Sequence, residues 1–523
     1  MSIILEQLNA NNVKALKGKK IVCYVKVVQY IVELEEKYKL LDQIEMIIDE
    51  HSSRWGNCVC GGKSIPVVGP EILRDLDYEK YIVLITSEYY REVYDSFCVS
   101  ELQKCGLQKV YYYADREMEL YDYYANKYID SPLENIIVFR SGPRDDMLNS
   151  RMEFTENAKA LFDYMVENGY NNTFELFWIV ENPEDYKEFQ NKNITFISYK
   201  WATSECTEKQ EKYYRPICLA KYVFFTSACN FVRNARKDQT RVQLWHGQGF
   251  KNRALFSKFE KRYEYMTVMS QTYADIHAEI FGLREDQILI TGIPKQDWLF
   301  HKISQQEFYD LGIPKAEKYI FWLPTFKAAT KKLEKMAVSV KQTDTGFSVV
   351  EELVQAKELN DFLKERNIVM VIKLHHAQNQ DIIADINDSN IVLLNHDVLS
   401  ERHLHINQIL DYADALISDY SSVAVDYLLL DRPIGFAVGD FEDYKKNRGF
   451  IFDDIENWLP GNMIFEFSEF CNFVDEVSNG IDSSKEKRHN ISGKLCTWKD
   501  DCNCERVLRA LGIYESQNEG TEY

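Results

Sequence analysis

No run of eighteen apolar residues occurs in the 523-residue chain, which excludes an ordinary membrane-spanning helix. The opening stretch "MSIILEQLNANNVKALKGKK" carries only a short apolar segment, too little for the core of a secretion signal. A cytoplasmic location is therefore expected. Positive charge is also in short supply. Sixty-two Lys and Arg residues face 82 Asp and Glu, for a net charge of −20. That excludes a nucleic-acid binder working by bulk attraction and leaves room for a local basic site. Repeats and long low-complexity tracts are absent. The twelve cysteines include two close pairs, Cys58/Cys60 and Cys502/Cys504, both C-x-C. Neither has the second pair or the histidines of a structural zinc site. Buried free thiols are expected, and no metal.

What is present points to large cores. Apolar residues make up 45% and aromatics 13% of the chain. The length suits three domains of roughly 150 residues each. In residues 1–130, "KIVCYV", "IEMIID", "YIVLIT" and "KVYYYA" read as buried strands. "VVQYIVELEEKYKLL" and "EYYREVYDSFCVSELQKC" read as helices between them. Strands alternating with helices imply a parallel sheet. With "GGKSIPVVGPEIL" between the second and third strands, this order resembles the Rossmann-like domains of nucleotide-sugar enzymes. Such a domain needs glycines after its first strand, where this chain has Val25, Val27 and Tyr30. Side chains there block a pyrophosphate, so a scaffold or docking role is expected. Residues 133–310 and 311–515 read as two further α/β domains, and 516–523 as a frayed tail. Strand-like runs in the second are "NIIVFRS", "FELFWIV" and "YVFFTS", with a helix over "MEFTENAKALFDYMVENG" that stops at Gly169. The third has "YIFWLPTF", "IVMVIKLH", "NIVLLN", "ALISDY" and "PIGFAV". Two successive α/β domains suggest a two-lobed transferase with ligands at the carboxyl ends of the strands.

Four stretches carry chemistry. Between Phe231 and Tyr263 nine Lys or Arg residues meet two acids, Asp238 and Glu260. Most charge runs are solvated helical faces. This one brackets "LWHGQG", in which Gly247 and Gly249 would let backbone N–H groups approach an anion. His246 is then either core filling beside a turn or a proton-handling group at the edge of an anion site. A second basic stretch, "FKAATKKLEK", places Lys327 at the lip of the same cleft. In "ALISDYSSVAVDYLLLDRPIGFAV", Ser421 and Ser422 stand between a strand and a helix. A serine N-cap is the ordinary reading. Two hydroxyls, free N–H groups and the helix dipole also make a phosphate site, and the nearby basic clusters favour that reading. "VIKLHHAQ" puts Lys373, His375 and His376 at another strand end. Histidine titrates near neutrality and suits general acid–base work. A metal site is the rival, for which His403 and His405 of "HLHIN" offer little.

Taken in order, "QLWHGQGFK", "TGIPKQDWL", "LPTFK", "KLHH", "SDYSSVAVDYLLLDRPIGF" and "RGFIFD" resemble the CDP-glycerol glycerophosphotransferase family, which includes teichoic acid polymerases and primases. The resemblance covers roughly residues 133 to 480. It implies a GT-B fold, two Rossmann-like lobes with the active site between them. It implies transfer of glycerol phosphate, or in relatives ribitol phosphate, from a CDP donor to a hydroxyl of a lipid-linked acceptor, with release of CMP. His246 matches the histidine of the family's W-H-G motif, a candidate general base. His375 matches the histidine of its K/R-x-H-P motif, near the donor phosphates. Ser421 and Ser422 match its phosphate-binding serines. Thr325 and Lys327 match its P-T-F-R segment, and Lys295 with Asp297 its G-x-P-R-N-D segment. Three positions depart from the pattern. His376 replaces a proline, and Lys295 and Lys327 replace arginines, keeping the charge but losing the bidentate fork.

The resulting expectation is a polyol-phosphate transferase at the inner face of the membrane, building a teichoic-acid-like or capsular polymer. Its catalytic residues would be His246 and His375. Its donor would be held by Ser421, Ser422, Thr325, Lys327, Lys295, Asp297, Lys373 and Gly247. CDP-glycerol or CDP-ribitol is the donor, with no tightly bound cofactor. The acceptor is lipid-linked or an oligosaccharide, membrane contact is peripheral, and nucleic acid is not a partner. Two rivals share the fold: a glycosyltransferase using a nucleotide sugar, and a non-catalytic nucleotide-binding scaffold.

Overall fold

The structure, a computed structural model, describes residues 3–24, 28–50, 52, 55–87, 90–95, 98, 102–141, 153–226, 236–252, 263–324, 345, 347–373 and 388–514. Three sheets organise them. The first contains β1 (Ile4–Gln7), β2 (Lys20–Tyr24), β3 (Ile44–Ile48), β4 (Gly56–Cys60), β5 (Lys63–Val68), β6 (Tyr81–Ile85) and β7 (Lys109–Tyr112). Their order is β1-β7-β6-β2-β3-β5-β4, parallel except for the β4–β5 hairpin. The four strands expected from apolar runs are all there. Edge strands β1 and β4 were not anticipated, because edge strands are half-exposed and lack a continuous apolar run, and β5 was hidden by the lysine, serine and proline of "KSIPVV". Cys58 and Cys60 lie two apart on β4, both buried as free thiols. Tyr30, at a position where a nucleotide-binding turn would need glycine, is buried against Tyr113 with ring centroids 5.5 Å apart. Val25 and Val27 lie outside the described residues. Helix is described over Tyr90–Val93, a fraction of the run read from sequence.

The second sheet is wholly parallel. It contains β8 (Glu134–Arg140), β9 (Glu175–Val180), β10 (Ile194–Ser198), β11 (Ala220–Phe225), β12 (Thr240–Gln243), β13 (Tyr265–Val268) and β14 (Ile288–Ile290). The third, also parallel, contains β15 (Lys318–Leu323), β16 (Ile368–Ile372), β17 (Ile391–Leu393), β18 (Ala415–Ser418), β19 (Ile434–Ala437) and β20 (Asn462–Ile464). Their orders are β10-β9-β8-β11-β12-β13-β14 and β17-β16-β15-β18-β19-β20. Each steps outward from its first strand, then reverses, the doubly wound Rossmann order. The strand order reverses between β8 and β11 in one lobe and between β15 and β18 in the other. At the second of these points the Ser418 hydroxyl donates across the strand ends to the Leu323 carbonyl, at 2.9 Å.

Local sequence explains where the elements stop. Helix Glu156–Glu167 runs into Gly169, whose φ of 72° places it in the left-handed region that ends helices. Helix Gln271–Phe281 is opened by Ser270, whose side chain accepts from the Tyr273 N–H at 3.4 Å, and closed by Gly282 at φ 57°.

Two helices do not respect the divisions read from sequence. Helix Arg116–Lys127 contributes Met118 to the core of the first sheet and Tyr121 and Tyr124 to that of the second. Tyr124 stacks on Tyr214 at 4.9 Å, fastening the two units together. Helix Asn503–Ala510, expected with the third sheet, places Cys504, Val507 and Leu508 in a core of the second. The chain crosses between lobes a second time at its end.

Candidate active site

The site is built at the carboxyl ends of parallel strands from the two lobes. β12 ends at Gln243, and the next residues are Leu244-Trp245-His246-Gly247-Gln248-Gly249. Leu244 and Trp245 are buried in the lobe while His246 is exposed. Trp245 sits at φ 58°, a conformation few non-glycine residues adopt, and this turn separates the buried indole from the exposed imidazole. The two rings stay close, with centroids 4.3 Å apart. Gln248 pins the far side of the loop. Its Nε2 donates to the Thr267 carbonyl at 3.1 Å, and its Oε1 accepts from the Met269 N–H at 2.9 Å.

The facing lobe brings the end of β18. Ser421 and Ser422 precede helix Val423–Tyr427. Ser422 is the N-cap residue, yet its side chain makes no capping bond, so its hydroxyl is not spent on its own helix. The two motifs meet. A β-carbon built on Gly247 would lie 2.4 Å from the Ser422 hydroxyl, and one on Gly249 would lie 3.0 Å from the Ser422 Cα. Glycine at both positions is what lets the lobes touch here. Just beyond, Asn252 N–H donates to the Gly449 carbonyl at 3.1 Å and Ile451 N–H to the Phe250 carbonyl at 2.9 Å. The loop therefore clips onto the "RGFIFD" segment of the other lobe.

Behind the contact lies a buried ionic cluster. Lys295 Nζ donates to the His246 carbonyl at 2.7 Å and Glu156 Oε2 at 3.1 Å, and lies 3.6 Å from Asp426 Oδ2. His405 Nδ1 accepts from the Asn407 N–H at 3.2 Å, which leaves the ring proton on Nε2, facing Glu156 Oε1 at 3.4 Å. Burial alone would raise the Glu156 carboxyl. Lys295, His405 and His246 outweigh it and hold Glu156 well below the usual carboxylate range. Burial pushes Asp426 up, against the pull of Lys295. Burial lowers His405, against the pull of Glu156. Lys373, at the end of β16, is pushed down to about 8 by burial, with Glu156 opposing. An ammonium of that pKa is still charged near neutrality.

Of the residues singled out from sequence, His246, Gly247, Ser421 and Ser422 come together, and Lys373 faces the same cluster. Lys295 is present but enclosed by protein acceptors. Asp297 lies apart. Its carboxylate accepts from the Asn503 and Cys504 N–H groups at 2.9 and 2.8 Å, capping the C-terminal helix. Burial raises that carboxyl to about 6 despite these bonds. Thr325, Lys327, His375 and His376 lie outside the described residues. Glu156 and Asp426 escaped notice, and His405 was weighed only as a metal ligand. Glu156 reads in sequence as an acid in the first turn of a helix, where the dipole alone would account for it. Among the described residues no group of three or more His, Cys, Asp or Glu could hold a metal ion, and no helix is long and apolar enough to cross a membrane.

Two Rossmann-type lobes, with a histidine loop from one and a serine-headed helix from the other meeting at their strand ends, define a GT-B transferase. A sequence model of the family described as CDP-Glycerol:Poly(glycerophosphate) glycerophosphotransferase matches residues 134–512. The chain belongs to that family and is an enzyme of the CDP-glycerol phosphotransferase type. It is similar to the Staphylococcus aureus teichoic acid ribitol-phosphate polymerase TarL, 23% identical over 92% of this chain and 81% of the relative. It is also similar to a teichoic acid glycerol-phosphate transferase of the same species, 24% identical over 73% of this chain and 93% of the relative. Among solved structures, the wall teichoic acid polymerase TagF matches with a TM-score of 0.57 and 20% identity, covering 81% of this chain and 97% of that one. The TagF likeness is a likeness of fold.

Proposed function

We propose that the protein transfers a polyol phosphate, glycerol phosphate first among them, from a CDP-activated donor to an acceptor hydroxyl in the synthesis of a teichoic-acid-like or capsular polymer. The contact between the W-H-G loop and the Ser421–Ser422 helix start carries this reading, since it brings a proton acceptor and an anion site into one cleft. The acceptor oxygen attacks the donor's β-phosphorus. The bond from that phosphorus to the bridging oxygen breaks, and CMP leaves with the electron pair. His246 receives the acceptor's proton as the new phosphodiester forms. Ser421, Ser422, the backbone at Gly247 and Lys373 hold the diphosphate. Thr325, Lys327 and His375 complete the donor side in this reading. Most of the rate comes from positioning and from donors fixed in advance around the developing charge.

A lipid-linked or oligosaccharide acceptor fits this chemistry, reached by peripheral contact at the cytoplasmic face of the membrane. Purified protein supplied with CDP-glycerol, CDP-ribitol and UDP-sugars tests the reading. CMP release with a CDP-alcohol supports it, and the faster alcohol names the polyol. UDP release would make the protein a glycosyltransferase, and binding without turnover a scaffold.

A further inference from the structure

Lys295 occupies a place where a donor-phosphate contact was expected, yet its ammonium is already filled. It has three donor hydrogens and three protein acceptors, the His246 carbonyl, Glu156 and Asp426, all within 3.6 Å. Its side chain is 6% exposed. Its main chain is held as well. The Lys295 N–H donates to Asn157 Oδ1 at 2.9 Å, and its carbonyl accepts from Asn407 Nδ2 at 3.2 Å. Asn157 Nδ2 in turn donates to the Trp245 carbonyl at 2.7 Å. Two consecutive carbonyls of the histidine loop, those of Trp245 and His246, are thus pinned by neighbouring groups. Both follow directly on the strained φ of Trp245, which persists only if its surroundings fix it. On the other side, Asp426 belongs to the serine-headed helix, where its N–H donates to the Ser422 carbonyl at 3.1 Å.

We propose that Lys295 and Glu156 are positioning residues for His246, linking the Ser421–Ser422 helix of one lobe to the backbone of the histidine loop in the other. The inference rests on the transfer reading above. Asp426 comes from the donor-phosphate helix, Glu156 from the histidine-loop lobe, and the lysine between them hooks the His246 carbonyl. Lobes that separate lose Asp426 from this chain and loosen the loop. Donor bound at the serine pair holds the helix in place and so keeps the imidazole aimed.

Two measurements test this on the full chain. In CMP-release assays, K295M lowers kcat about a hundred-fold while donor KM stays within about three-fold, and K295R recovers most of the loss. A large rise in donor KM with kcat intact would instead make Lys295 a phosphate ligand and overturn the proposal. Histidine-selective NMR on the unliganded protein reads the His246 ring directly. In K295M and in E156Q its signal shifts and broadens, because the backbone that aims it is no longer hooked. A His246 signal unchanged in both variants overturns the proposal. Should K295M fail to fold, K295R and E156Q still decide it. Wild-type protein that releases no CMP from any CDP-alcohol would sink the transfer reading, while the His246 signal in E156Q remains readable.

Discussion

Gly247 of one lobe and Ser422 of the other approach so closely that a β-carbon on the glycine would stand 2.4 Å from the serine hydroxyl. This pair sets the distance between the histidine loop and the serine-headed helix. Gly247→Ala must push them apart or rotate the serine away. The expected result is a loss of kcat/KM of about a hundred-fold, since an ångström of misplacement has that order of effect. Gly493 is the control. It sits inside helix Lys485–Leu495 with nothing within 4 Å of a built β-carbon. Gly493→Ala stabilises by about 0.5–1 kcal/mol and leaves turnover unchanged, as denaturation and steady-state assays would show.

His246→Ala removes the proposed proton acceptor without touching a core, because the imidazole is exposed. CMP release falls by a factor of about 100 to 10,000, the range of general-base contributions. Circular dichroism and the melting profile stay those of wild type. Full turnover in this variant removes His246 from the mechanism.

With Lys373 in its proposed place on the donor, capture of the donor is expected to depend on pH. Burial lowers its ammonium to about 8, so the charge is present at neutrality and lost as pH rises through that value. kcat/KM for the CDP-alcohol, which reports the free enzyme, falls above pH 8. Lys373→Arg keeps its charge and flattens the alkaline limb. Lys373→Met shows low, pH-independent kcat/KM across the same range. An alkaline limb that survives in both variants would assign it to another group.

Asp297 is a fastener. Asp297→Ala leaves the Asn503 and Cys504 N–H groups without their acceptor and costs about 1–2 kcal/mol at the start of the last helix. Hydrogen exchange across Asn503–Ala510 then speeds about 5- to 30-fold, while donor KM changes little. A selective rise in donor KM would return Asp297 to the donor site.

Much of the fold was legible because parallel strands are buried on both faces. Runs such as "IIVF", "YIFWL" and "IVMVI" are apolar throughout, and each lies in a strand of a doubly wound sheet. β1 and the β4–β5 hairpin were not, since edge strands β1 and β4 and the Lys-Ser-Ile-Pro start of β5 are mixed in sequence. Nor could chain order reveal that helix Asn503–Ala510 returns to the earlier lobe. Its apolar residues, Val507 and Leu508, state that one face is buried but not against what.

The site divides the same way. His246, Ser421 and Ser422 stood out because strand ends, glycines and hydroxyls leave a local pattern. Glu156 and His405 left none. Glu156 opens a helix in one lobe, His405 begins a short turn in the other, and 249 residues of sequence separate them. Sequence by itself settled which segments are strands and which loops could meet an anion, because both follow from burial and from backbone freedom within a few residues. Only the folded chain decided that Lys295 would be enclosed by two carboxylates and a carbonyl. The partners of a buried charge are chosen by packing between lobes, and that choice has no local signature.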